Sequence, residues 1–371
     1  MFNKKDNNRN QFMLKDKGYD WWWHSFTAID ENGEEKPFFI EFFTVNPGLG
    51  TDQPIFGQLE VNKVKKVKPS YLMVKAGCWK DHGVQLHRFF GWNSVKIIRN
   101  PFQVEAQDCF ACETRLKGSI SISKEECEAH PEWMCDYGEM SWDLKVNKDI
   151  AFNVGYGTSK LFRETNAFEM YWHAQGMKTK YEGTVTFNGK EYKVLPDCCY
   201  GYADKNWGSN FTSPWVWLSS NHLVSNITGQ TLQNSVFDIG GGRPKVFFVP
   251  LPRKLLGVMY HEGKEYDFNF SHFWKGVHTL FKCDEKADCI EWTVVQSNFK
   301  YHMKTHVICQ KKDMLLVNYE APDGLKRHNR LWNGGNGVGR ITLYKRNNNT
   351  LELIEDVNAY NIGCEFGEYD C

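Results

Sequence analysis

Apolar and polar residues alternate through most of this chain, and the alternation breaks repeatedly at residue pairs suited to tight turns. In TVTFNGKEYKV (184–194), Val185 and Phe187 share one face, Asn188-Gly189 reverses the chain, and Tyr192 and Val194 return. A period of two predicts half-buried strands. Asn-Gly between such runs predicts a hairpin, because both central residues must take positive φ. The same grammar predicts turns at Asn32-Gly33, at Glu262-Gly263 and at Asn347 to Asn349. Helical spacing is scarce. Ser123 and Glu126 form a capping-box signature, but Pro131 ends that segment after about two turns.

The pattern therefore predicts an all-β chain of antiparallel strands, closed as barrels or sandwiches. A length of 371 residues suggests two domains. The least patterned long connection is VNKDIAFNVGYGTSKLFRETN (146–166), which predicts a division into residues 1–155 and 156–371. GKEY occurs at 189–192 and again at 263–266, as an internal repeat would or as shared hairpin chemistry would.

Charge narrows the partners. Lys plus Arg and Asp plus Glu are both 45, so no net field favours nucleic acid. Aromatic residues make up 15% of the chain, enough for a large core and for a ring-lined cavity. No apolar stretch follows the basic N-terminus and no run approaches the ~20 residues of a membrane span. The expectation is a cytoplasmic protein that meets a membrane surface peripherally at most. In that compartment the 12 cysteines read as free thiols, and the sequons at Asn210 and Asn226 carry no meaning.

Most candidate motifs resolve into ordinary structure. NGGNGVG (333–339) leads into the strand-like RITLY, so it reads as a glycine-rich bend rather than a dinucleotide loop. His302 and His306 share a strand face without a third ligand, and His82 and His87 lack a partner, so no metal is expected. No nucleophile elbow is present. KVKKVK (63–68) reads as a solvated strand edge, or else as a patch for anionic lipid headgroups.

One stretch resists this treatment: YGYADKNWGSNFTSPWVWLSSN (200–221). Trp215 and Trp217 fall on one strand face, with Val216 and Leu218 opposite. Asp204-Lys205-Asn206, running toward Gly208, has turn chemistry. Its place between aromatic strands keeps a catalytic reading open.

The segment NGKEYKVLPDCCYGYADKNWGSNFTSPWVWLSSN resembles the core of the tocopherol cyclase family, in which a hairpin leads to a Tyr-Ala/Ser-Glu/Asp-Lys-Asn-Trp-Gly block and a Trp-x-Trp strand. YDWWWHSFTAIDENGEEKPFFIEFFTVNPG, FEMYWHAQGMKTKYEGTV and the C-terminal strands are similar as well. There are departures: Asp204 stands where Glu is usual, Ser219 where Gln is usual, Pro214 is displaced, and Cys198-Cys199 lengthen the approach. The block also looks like that of carotenoid hydratases, whose fold has two lipocalin-like β-barrel halves. The resemblance implies such a fold, no cofactor, and a lipophilic isoprenoid substrate protonated at a double bond. In a cyclase the phenol oxygen of a prenylated quinol captures the cation; in a hydratase, water does.

Such chemistry needs an undissociated acid in an apolar pocket and aromatic faces around the cation. The implied roles give Asp204 the proton, with Lys205 or Asn206 holding the phenol or a water. Trp207, Trp215 and Trp217 would form the wall, extended by Trp172 and Trp23. Tyr200, Tyr202 and His24 are the alternative acids. A non-catalytic carrier with the same pocket is the competing reading.

Overall fold

The computed structural model describes residues 16–368 except 100, 153–167, 244, 247–248, 251, 271, 325–330 and 349. The first sheet opens with β1 (Tyr19–Ile29), β2 (Glu35–Val45), β3 (Tyr71–Cys78) and β4 (Val84–Phe90). It continues with β5 (Val95–Ile98), β6 (Gln103–Ala106), β7 (Cys109–Cys112), β8 (Arg115–Ile122) and β9 (Gly138–Phe152). It ends with β10 (Met170–Phe187), β11 (Lys190–Val194) and β12 (Gly201–Gly208). Neighbours run in the order β4-β3-β2-β1-β11-β10-β9-β8-β7-β6-β5, with β12 also between β1 and β10. All pairings are antiparallel. The sheet curls on itself, so that Arg88 on β4 donates to the Ser119 carbonyl on β8 at 2.9 Å.

The second sheet begins with β13 (Trp215–Ser220), β14 (His222–Ser225) and β15 (Ser235–Gly242). A separate small ribbon, β16 (Lys245–Val246) with β17 (Val249–Pro250), follows. The sheet resumes with β18 (Lys254–His261), β19 (Lys264–Asp267), β20 (His278–Glu285) and β21 (Cys289–Ser297). It closes with β22 (Tyr301–Gln310), β23 (Met314–Val317), β24 (Leu331–Asn347) and β25 (Thr350–Gly367). The described helices are short: α1 (Glu60–Lys65), α2 (Lys124–Ala129) and a few 3-10 turns.

The turn grammar holds. Asn188, Glu262 and Asn348 take φ of 46, 44 and 51°, and Gly33, Gly189 and Gly263 take 80, 77 and 88°. Ser123 and Glu126 cap α2 reciprocally. Three expectations change. The Asp204–Asn206 segment is no turn but the centre of β12, because β1 and β10 both offer it a ladder and tertiary pairing overrides local turn chemistry. KVKKVK begins within α1 rather than on a sheet edge: no strand pairs with it, and the Leu59 carbonyl accepts from Asn62 and Lys63 instead. The sheets divide between Gly208 and Trp215, later than residues 146–166, because β10, β11 and β12 return to the first sheet. Part of that expected boundary lies outside the described residues.

The described residues form three apolar cores. One fills the first half, around Trp22, Phe38, Phe42 and Tyr181. Another fills the second half, around Leu218, Phe237, Trp292 and Leu343. The middle core lies between the halves and holds Trp21, Trp23, Phe39, Trp172, Tyr202, Trp215 and Trp217. Alternation on β13 assigns Trp215 and Trp217 to this middle core and Val216 and Leu218 to the second.

A carboxyl cluster in the core between the halves

Asp204 stands opposite Trp23 on β1, and Trp23 stands opposite Glu41 on β2. Glu41 in turn stands opposite Lys75 on β3. On its other side Asp204 meets a bulge in β10, where the register shifts between His173 and Gly176. The bulge brings two side chains to Asp204: Trp172 Nε1 donates to its Oδ2 at 2.7 Å, and Gln175 Nε2 to its backbone oxygen at 3.3 Å.

From the second half, Trp217 on β13 faces Gly240 and Glu365 in register, and Glu365 faces Asn333. Glycine permits this packing. A Cβ at Gly363 would lie 2.2 Å from the Trp217 ring, and one at Gly335 2.3 Å from Trp79.

Within these aromatic walls the polar groups form two connected sets. Tyr202 Oη lies 3.2 Å from Asp204 Oδ2 and 3.1 Å from Asp238 Oδ2, and Trp217 Nε1 donates to Asp238 Oδ1 at 3.2 Å. A tyrosine hydroxyl donates one proton only. For both contacts to be hydrogen bonds, one carboxyl must carry a proton and donate it to the tyrosine oxygen. Burial pushes both carboxyls well above the usual carboxylate range, and each lies within the other's field. Asp204 Oδ1 is buried and has no hydrogen-bond partner. Asp204 and Trp23 keep 6% of their surface accessible and Trp215 7%.

In the second set, Tyr319 Oη donates to Glu41 Oε2 at 2.6 Å, with Lys75 Nζ 3.9 Å from the same oxygen. Burial raises Glu41 to about 7 against the pull of Lys75, and lowers Lys75 to about 8. Apart from these two sets, Trp215 Nε1 donates to Glu365 Oε2 at 2.8 Å, and burial raises that carboxyl too.

The structure separates residues that the sequence placed together. Trp172 and Tyr202 hydrogen-bond to Asp204 and Trp23 stands opposite it in register, while Trp215 meets Trp172 at 6.5 Å and Trp217 meets Tyr202 at 4.9 Å in the same core. Lys205 and Trp207 point to the opposite face of β12. There Lys205 forms a fully buried ion pair with Asp20, its ammonium 4.0 Å from the Trp22 ring centroid, while Trp207 stacks on Tyr171 at 5.4 Å. Asn206 shares Asp204's face. In the amide orientation that satisfies both neighbours, it accepts from Trp21 Nε1 at 2.7 Å and donates to the Tyr171 carbonyl at 3.2 Å. Neither Lys205 nor Asn206 is thus placed to hold a phenol or water beside Asp204.

His24 also faces away, bound to Tyr181 Oη at 2.8 Å, and burial lowers it to about 3, so it is neutral. Tyr200 stacks on His222 at 3.8 Å, outside the cluster. His306 pairs with Glu291 at 2.6 Å on a partly exposed face. Among the described residues no three His, Cys, Asp or Glu side chains gather as a metal site would require.

Sequence reading passed over Asp238, Glu365, Glu41, Lys75 and Tyr319. The first four had a signal: each is a lone charge in an apolar run, as in FFIEFF, LMVKAG, VFDIG and IGCEFG. A charge at an inward position of a strand is rarely retained without a partner or a task.

The fold and cluster define a two-halved antiparallel β-protein with high-pKa carboxyls enclosed by tryptophans. Residues 77–368 match the tocopherol cyclase-like family, and the chain belongs to it. A comparison with curated proteins finds no significant match. Among solved structures, the chain is similar to kievitone hydratase from Nectria haematococca, with 13% identity, 94% of this chain and 89% of that chain covered, and a TM-score of 0.47. It is also similar to an AttH-type protein from Nitrosomonas europaea, with 11% identity, coverages of 98% and 96%, and a TM-score of 0.48.

Proposed function

We propose that this protein cyclises a prenylated aromatic quinol by acid catalysis, with Asp204 as the proton donor. The observation that carries this reading is the state of the Asp204 carboxyl. One oxygen is fixed by Trp172 and Tyr202, the other is free of partners, and burial pushes the carboxyl well above the usual carboxylate range. Family membership supports the reading.

The step balances within the ligand and one carboxyl. The Asp204 O–H bond breaks as its proton adds to the less substituted carbon of a trisubstituted double bond, leaving a tertiary cation. A quinol hydroxyl oxygen bonds to that cation and releases its own proton to the Asp204 carboxylate, which restores the acid. Product and substrate have the same mass. The indoles of Trp23, Trp172, Trp215 and Trp217 offer the cation π-faces without a nucleophile. Asp238, tied to the same tyrosine, provides a second carboxyl across which proton and charge are shared. Positioned proton transfer of this kind contributes roughly 10²–10⁴-fold in rate.

Anaerobic incubation of the protein with prenylated hydroquinones, followed by mass spectrometry, tests the reading. A mass-neutral, ring-closed product is expected. A product heavier by one water would make the protein a hydratase, and unchanged ligand recovered bound would make it a carrier.

A further inference from the structure

Helix α1 buries none of its residues. Val64 is 84% exposed and Val61 57%, one helical turn apart, so two branched aliphatic side chains stand together in solvent. Around them Lys63, Lys65, Lys66 and Lys68 face a single acid, Glu60, which gives residues 60–68 a charge of +3 in a chain of net charge +0. Lys63 pairs with Glu60 at 2.6 Å.

The loop carrying α1 is bolted to the edge of the middle core. Phe56 packs against that core, edge-on to Phe89 at 4.9 Å and 5.6 Å from Tyr71. Gln58 donates its backbone N–H to Glu320, which also accepts from Tyr71 Oη at 3.0 Å. Tyr71 stands level with Val45, and Val45 with Tyr19. Asp204 stands level with Trp23, four residues further along β1, or about 13 Å at roughly 3.3 Å per residue.

We propose that α1 is a docking surface for an anionic lipid bilayer, with Val61 and Val64 entering the headgroup layer and the four lysines engaging lipid phosphates. Charge complementarity selects this occupant. Two valines bury too little for stable anchoring alone, and a basic patch supplies the second signal that peripheral binding requires. The surface would present the acid-bearing core to the phase in which a lipophilic substrate dissolves. Its purpose rests on the function proposed above, but the contact itself does not.

The test is co-flotation of the full chain with vesicles of phosphatidylcholine alone and of phosphatidylcholine with phosphatidylserine. The protein is expected to float with the anionic vesicles and to be released by salt. Each lysine near an anionic surface is worth roughly fivefold in partitioning. Replacing Lys63, Lys65, Lys66 and Lys68 by Gln should therefore reduce partitioning onto the vesicles by up to roughly 600-fold. Val61→Ser with Val64→Ser should reduce it as well, with unfolding unchanged in both variants because nothing there is buried. Equal flotation of wild type and variants would overturn the proposal. So would absence of binding to anionic vesicles, or retention of the lysine patch by polyglutamate instead. None of these outcomes depends on turnover, so loss of catalysis and loss of docking are read separately.

Discussion

Replacing Asp20 by Asn removes the anion beside Lys205 while barely changing shape, and the outcome distinguishes a structural lysine from a catalytic one. Both side chains are buried, at 1% and 0% exposure, and their ion pair faces away from Asp204. Removing one partner of such a pair costs about 3–5 kcal/mol, because the remaining charge loses its compensation. The ammonium can escape by releasing its proton. At pH 7 that costs about 1.36 kcal/mol for each unit below its ordinary 10.4, or about 4.6 kcal/mol, which caps the loss. Cation–π contact with Trp22 at 4.0 Å and Trp207 at 5.7 Å retains part of the charge stabilisation. The expected loss is therefore about 3–4 kcal/mol in urea unfolding at pH 7, with turnover per folded molecule intact. If the variant's Lys205 is neutral when folded, the unfolded state binds one more proton. Its stability then rises with pH toward 10 by about 1.4 kcal/mol per unit relative to wild type. Asp20→Leu with Lys205→Met should recover most of the loss. An unchanged unfolding midpoint combined with lost turnover would refute the assignment and return Lys205 to the site.

Tyr202→Phe removes the hydroxyl between Asp204 and Asp238. It should lower stability by about 1–3 kcal/mol and depress turnover, measured by unfolding and by kcat; no change in either would show that the two carboxyls do not depend on that bridge. Glu41, raised to about 7 from 4.5, contributes stability that is full below 4.5 and lost as pH rises through 7. The loss amounts to about 3 kcal/mol, which Glu41→Gln should abolish in unfolding measured from pH 4 to 8. Trp207→Ala, which deletes a buried ring stacked on Tyr171, should cost roughly 3–5 kcal/mol without altering kcat of the folded fraction.

Strand content was legible because Asn188-Gly189 and its counterparts state their turns locally, and because alternation carries the facing of Trp215 and Trp217. What alternation does not encode is which strand pairs with which. The return of β10, β11 and β12 to the first sheet depends on long-range register, so the break between the halves could not be read from an unpatterned connection. Asp204–Asn206 shows the same limit at the site: its side chains favour a turn, and only β1 on one side and β10 on the other make it a strand. Once it is a strand, a period of two separates Lys205 and Trp207 from Asp204, although all belong to one motif. The lone charges Glu41, Lys75, Asp238 and Glu365 were visible as anomalies, but their convergence from two sheets was not.

Asp204→Asn tests the central claim most directly. Asn is nearly isosteric and its carboxamide oxygen can still accept from Trp172 and Tyr202, but it cannot deliver a proton to carbon. With a prenylated hydroquinone shown to be turned over by the wild type, the account predicts a fall in kcat of at least about 10²-fold, with ligand affinity and unfolding midpoint nearly unchanged. Near-normal turnover by the folded variant would contradict it and place the acid elsewhere in the cluster.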